Sequence, residues 1–407
     1  MGVAYGLALH NWARSYLMFN IKELRYVQNV TGEGITSQWD VYGTDLGIPV
    51  YSEAQKRMYF LFGDSFGEGE LYPGKPMNWR GTIAGYTDNL DFSQGIEWHG
   101  FLDDGTGKAR QLVAAHYTPN EAKIERTKIC QGGIEIDGTL YFFYESIRFW
   151  GKDRWYVNFG GVIKSTDGGK TFSKVYDLSW IEPTDEEGVK LARSLICEDM
   201  SFVPTRGMEF DANAHVAPGF GQMYAADGKD GYIYVYGRLG GRVAGIKVGR
   251  VKKEDIERFE KYEYLTEFDG DKAIWKPCRE GLDTIMADPE KADIIPAPTS
   301  NMTIHYNEYL GKWVLMYYKP GKGIYCCFAD TPYGPYSDGV EALPYDHPAL
   351  SADIPEAKGR TALYGGFTHE KMVREGGKIV SFVVSQWVNR ENKPRFYGSR
   401  LFEIEFE

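Results

Sequence analysis

The stretch GTDLGIPVYSEAQKRMYFLFGDSFG, residues 43–67, reads as two strands joined by a turn. Its first half is short and β-branched, with Asp45 near its start. Its second half, RMYFLFGDSF from Arg57, is an aromatic-rich apolar run ending at Asp64. Short apolar runs of this kind, bounded by turn residues, are the mark of strands buried on both faces. The same unit returns as GTLYFFYES from Gly138, GYIYVYGRLG from Gly231, GKWVLMYYKPG from Gly311 and GKIVSFVVSQW from Gly377. Each of these follows a shorter inner segment, so the chain carries five copies of one supersecondary unit.

The copies lie farther apart than the roughly 40 to 50 residues of a minimal blade, which leaves room for four strands and long surface loops. Parallel α/β units would need amphipathic helices between the strands, and few are found. The best helical stretch, KKEDIERFEKYEYL from Lys252, reads as a short exposed helix decorating a loop. Ser165-Thr166-Asp167-Gly168-Gly169-Lys170-Thr171-Phe172 fits the turn motif of sialidase-like propellers, in which Asp and Ser satisfy backbone donors and the ring packs inside. The expected fold is therefore all-β, a single-domain five-bladed β-propeller over residues 31–407. Residues 1–30 form an N-terminal extension that joins or closes it.

Composition narrows the function. A net charge of −11 disfavours nucleic acid, whose readers need a basic patch. No run approaches the roughly 20 apolar residues of a membrane helix, so no membrane partner is expected. The five cysteines (Cys130, Cys197, Cys278, Cys326, Cys327) lack zinc-site spacing, and the histidines, His215 and His369 among them, show no HxH or HExxH pattern. No metal or other cofactor is expected. The sequence leaves the oligomeric state open.

In a propeller the innermost strands line one central funnel. Those strands are expected to begin near Asp45, Gln131, Gln222, Asn301 and Phe367, with Thr368 and His369 as the polar members of the fifth. The ends of the second strands add Asp64, Glu145, Arg238, Lys319 and Gln386. Asp45 in GTDLG and Asp64 in GDSFG belong to adjacent strands and are flanked by glycines that permit close backbone approach. Paired carboxylates are what glycoside hydrolysis requires, one as acid and one as nucleophile or base. The alternative for each is a turn cap. Glu145 is a further candidate for substrate contact, and Glu198 and Asp199 are acids interrupting an apolar run.

GTDLGIPV, LFGDSFG, the Asn78-Trp79-Arg80 stretch, DTPYGPYSD and YGGFTHEKM followed by VSQW together resemble domain of unknown function 4185, the endo-D-arabinanase family 183 of glycoside hydrolases, over roughly residues 35–407. The resemblance implies cleavage of α-linked D-arabinofuranose chains such as those of mycobacterial arabinogalactan and lipoarabinomannan. It implies Asp45 and Asp64 as the catalytic pair, Arg80 as a grip on substrate, and Trp39 and Trp79 as sugar-stacking faces. Gln131, Gln222, Asn301 and His369 complete the expected substrate-binding set with Glu145. That substrate class suggests an extracellular or cell-surface protein, yet no signal peptide is visible at the start of the sequence. Two rival readings stand beside this one. Another furanosidase or a sialidase is the first, the latter requiring three arginines such as Arg80, Arg238 and Arg242 to converge. A glycan-binding propeller without catalysis is the second.

Overall fold

The computed structural model describes residues 19–68, 78–115, 125–151, 154–182, 185–198, 215–351, 362–389 and 396–407. Five antiparallel sheets, each built around one of the repeated aromatic runs, form a five-bladed β-propeller. Blade one is Gly43–Ser52, Arg57–Phe66, Ile83–Thr87 and Gly100–Phe101. Blade two is Thr127–Ile136, Thr139–Trp150, Trp155–Ser165 and Ser173–Ile181, with His215–Val216 added in parallel at its outer edge. Blade three runs Gln222–Asp227, Tyr232–Arg238, Lys247–Lys252, Glu263–Asp269 and Lys272–Pro277, and blade four Met302–Asn307, Lys312–Lys319, Gly323–Ala329 and Val340–Pro344.

Blade five takes Ala362–Phe367, Ile379–Val388 and Phe396–Phe406 from the end of the chain and Ile21–Asn29 from its beginning. Leu24 pairs with Ile404 and Tyr26 with Phe402, so the ring closes by strand pairing. Phe402 is fully buried there, stacked 5.9 Å from Phe382 and meeting Tyr26 edge-on at 5.4 Å. Beside it the buried Glu403 takes Arg25, Arg374 and the Ser381 hydroxyl, so its charge is paired on three sides.

The apolar second strands are buried because each is covered by neighbouring blades on both faces. Arg57–Phe66 is buried from Met58 to Gly63, and a fully buried Phe or Leu contributes roughly 1.5–3 kcal/mol. Near the axis the inner strands approach so closely that a Cβ at Gly132 would lie 2.9 Å from the Tyr224 Cα of the next blade. Glycine is needed there for space.

The turn at Ser165–Phe172 behaves as its motif predicts. Asp167 accepts from the Thr171 amide (2.9 Å) and hydroxyl (2.6 Å), and the Phe172 ring packs 5.2 Å from Phe142. The expected helix from Lys252 does not form. Lys253–Asp255 and Phe259–Lys261 are 3₁₀ turns, and the chain then enters Glu263–Asp269. Its apolar residues Ile256, Phe259 and Tyr262 recur every third position, the 3₁₀ repeat, and all three are buried. Phe259 and Tyr262 pack against Trp180, at 5.2 and 5.5 Å. Among the described residues the α-helices are elsewhere, at Glu186–Glu198 and Cys278–Ala287.

Candidate active site

Asp45 and Asp64 are brought together by an irregularity in blade one. Thr44 pairs with Ser65 and Leu46 with Phe62, so one residue, Asp45, stands opposite two, Gly63 and Asp64. A bulge of this kind leaves a residue unpaired and re-aims its side chain. Gly63 is part of the device, because a Cβ there would collide with Oδ1 of Asp45.

The two aspartates are unequal, Asp45 being buried and Asp64 half-buried. Tyr364 of blade five donates to Asp45 Oδ2 at 2.6 Å, while Oδ1 is buried with no hydrogen-bond partner. Burial raises the Asp45 pKa, opposed by the Tyr364 and Tyr397 hydroxyls and by the Arg242 charge. Asp64 is raised first by burial and then by the negative charge of Asp45, with the indole N–H of Trp79 pulling the other way at 2.8 Å from Oδ1. Two neighbouring acids of like charge cannot both ionise cheaply, so their titrations separate.

The Asn78-Trp79-Arg80 stretch divides its work between two sides. Trp79 goes to Asp64, whereas Asn78 donates to Asp40 Oδ2 (2.6 Å) and Arg80 donates to the carbonyls of Asp40 (2.5 Å) and Ala109 (2.8 Å). Arg80 is buried in these contacts, which anchor the loop beneath the site. Trp39 likewise turns its ring to Phe101, 5.2 Å away.

A second group of acids lies across the funnel. Glu145 accepts from Gln131 Nε2 (2.7 Å) and Trp155 Nε1 (3.1 Å), and Asn301 of blade four donates to Gln131 Oε1 (2.8 Å). Burial pushes Glu145 up to about 7 despite these donors, the Gln222 amide and the Arg238 guanidinium. Glu182, just past the last main strand of blade two, is pushed up to about 8 by burial; its Oε2 accepts from the Gly240 amide at 2.8 Å and its Oε1 is buried without a partner. Arg238 stands between the charges of both glutamates. Of the three arginines that a sialidase reading needs, Arg238 and Arg242 belong to the funnel, and Arg80 is tied to Asp40 and Ala109.

The expected site residues thus divide. Asp45, Asp64, Trp79, Glu145, Gln131, Gln222 and Asn301 meet at one mouth. His369 does not join them, because the fifth inner strand ends at Phe367 and does not begin there. His369 and His305 instead line a cavity of about 240 Å³ at the opposite end, with Tyr51, Glu135 and Asp227. The blade-five residue at the active mouth is Tyr364. Gln386 is spoken for by Leu350 and Arg400. Asp199 lies outside the described residues, as does the side chain of Glu198. The sequence does not single out Tyr364, Tyr397, Trp155 or Glu182 for this site, and it offers Arg242 only as one of the three arginines of the sialidase reading. LYGGF held the one readable signal, a polar-edged ring among glycines on an inner segment. Among the described residues, no cluster of three or more His, Cys, Asp or Glu side chains is placed to hold a metal ion.

Fold and site together define a five-bladed propeller with a carboxylate-lined axial funnel. The family model for the domain of unknown function DUF4185 matches residues 31–402, and the chain belongs to that family. No curated protein matches the sequence. Among solved structures, a putative hydrolase from Bacteroides ovatus is similar at 13 % identity and a TM-score of 0.55, covering 91 % of this chain and 87 % of that one. A family 117 glycoside hydrolase from Zobellia galactanivorans aligns at 9 % identity and a TM-score of 0.46, over 94 % and 90 % of the two chains. The likeness to the Bacteroides ovatus protein is, at that identity, one of fold.

Proposed function

We propose that this protein is a glycoside hydrolase that cuts within α-linked D-arabinofuranose chains, using Asp45 and Asp64 as its reacting carboxyl groups. The observation that carries the reading is the bulge that seats a buried and a half-buried aspartate side by side, the buried one with an oxygen left unpartnered. Asp45 accepts the Tyr364 hydroxyl and has the Tyr397 hydroxyl and the Arg242 charge working in favour of its ionised form, so it is the carboxylate of the pair; its charge keeps the proton on Asp64. Asp64 then serves as the general acid at the leaving oxygen, and Asp45 as nucleophile or as base toward water. Glu145, with Gln131 and Asn301 behind it, offers hydrogen bonds to sugar hydroxyls on the far side of the funnel. The D-arabinan preference rests on the family resemblance in GTDLGIPV, LFGDSFG and the later motifs.

The test is incubation with purified mycobacterial D-arabinan and, in parallel, L-arabinan, followed by sizing of the products. Oligosaccharides from D-arabinan alone are expected. Binding without product would indicate a lectin-like propeller, and cleavage of L-arabinan alone would move the substrate assignment to another furanosidase class.

A further inference from the structure

Arg242 sits in the loop between Tyr232–Arg238 and Lys247–Lys252 of blade three, yet it reaches rings of blades two, four and five. Its guanidinium carbon lies 4.6 Å from the ring centroid of Tyr364 in blade five, 5.5 Å from Trp155 in blade two and 5.7 Å from Tyr318 in blade four. Gly241 turns the loop inward with φ +93°, a conformation that glycine adopts without strain, and a Cβ there would lie 2.6 Å from that of Arg154. Among the described residues Arg242 makes no hydrogen bond, and its Nε is buried without a partner.

Two of the rings that carry the cation also hold acids. Tyr364 gives its face to Arg242 and its hydroxyl to Asp45 (2.6 Å); Trp155 gives its face to Arg242 and its N–H to Glu145 (3.1 Å). A cation over a ring is attracted to the π-face, and it draws electron density from the ring, which strengthens the O–H or N–H at the edge as a donor. Arg242 therefore reaches both acids through the rings that bind them, besides acting on Asp45 through space.

We propose that Arg242 is a positioning residue for the aspartate pair, holding the negative charge on Asp45 through Tyr364, and that its unengaged guanidinium N–H groups meet hydroxyls of the sugar that enters the funnel. The inference rests on the hydrolase reading only in its second half.

Carbon-13 NMR of aspartate-labelled protein, without substrate, reads the two carboxyl titrations directly. In the wild type Asp45 is expected to ionise at lower pH than Asp64. In Arg242→Gln the gap is expected to shrink by about one pH unit, the lower end of what loss of a nearby opposite charge produces. Arg242→Lys restores part of it, since the charge returns without the planar stack. Tyr364→Phe narrows the gap too, and adding Arg242→Gln to it narrows it by less than Arg242→Gln does alone, because only the through-space part of the arginine's effect remains. Unchanged titrations in a folded Arg242→Gln protein overturn the inference and leave the hydrolase reading standing. Absence of cleavage of any arabinan by the wild type overturns the hydrolase reading and leaves the charge assignment to the NMR result. On D-arabinan, Arg242→Lys is expected to raise KM more than it lowers kcat; the reverse split would remove the hydroxyl contact.

Discussion

The hydroxyl of Tyr364 donates to Oδ2 of Asp45 at 2.6 Å across a sequence separation of 319 residues, joining the last blade to the first at the mouth of the funnel. Asp45 thereby has a fixed donor on one oxygen and nothing on the other, an arrangement suited to a carboxylate that must meet a reacting atom. The neighbouring Asp64 has no such tyrosine pair. The difference in partners is what separates the roles of two chemically identical side chains.

Replacing Asp45 or Asp64 by Asn keeps the shape and removes the titrating group. Turnover on D-arabinan is expected to fall at least about 100-fold in either variant, the scale on which acid–base help acts. Near-full activity in both folded variants would be incompatible with the assignment.

Trp79→Phe keeps a ring beside Asp64 and deletes the N–H that favours its ionised form. The Asp64 pKa is then expected to rise further. Since activity requires Asp64 protonated, the alkaline limb of the kcat/KM profile should move to higher pH while the acid limb, set by Asp45, stays in place. A profile that moves at the acid limb alone would exchange the two roles.

Glu182 ionises near pH 8 in the folded protein against an ordinary value of 4.5. The folded state therefore holds a proton that the unfolded chain releases between those values. The stability from this group is complete below about pH 4.5 and is lost as pH rises through about 8. Glu182→Gln should accordingly gain on the wild type in melting temperature at pH 9 compared with pH 5.5, by a few degrees. An equal difference at both pH values would mean that the group does not titrate in this window.

Gly63→Ala places a methyl group against Oδ1 of Asp45. A small displacement of a reacting group costs about 100-fold, so the variant is expected to fold and to lose most of its activity. Melting temperature and product sizing together check this, and an unimpaired enzyme would show that the carboxylate tolerates movement.

Phe402→Ala opens a cavity where the first strand meets the last, between Phe382 and Tyr26. A loss of about 3–5 kcal/mol in denaturant unfolding is expected. A loss below about 1 kcal/mol would imply that the closing strands repack around the gap.

The repeat was legible because an apolar aromatic run bounded by turns can only be a strand with both faces covered, and five such runs leave few architectures. Asp45 and Asp64 were legible for the same reason as the fold, since they interrupt those runs beside glycines. Tyr364 was not, because the polar residues of the fifth inner segment, Thr368 and His369, follow the end of a strand that begins at Ala362, and the residue that meets the funnel is an aromatic ring near its start. Glu182 and Arg242 lie in loops, where no periodicity says which way a side chain points. The segment from Lys252 reads as a helix in sequence because residues three apart satisfy a helix face as well as a 3₁₀ turn.

Closure of the ring by Ile21–Asn29 on Phe396–Phe406 sets a time order for assembly. Contacts this far apart in sequence cost little more in chain entropy than shorter loops, since that cost grows only with the logarithm of length, but they are slow to find. Each blade has its own local pairings to fold on, whereas the Tyr364 to Asp45 hydrogen bond exists only once blade five has docked on blade one. The chemistry of the funnel is therefore the last thing the chain acquires, and activity regained on refolding should report the docking of the final blade, lagging behind the signal of strand formation.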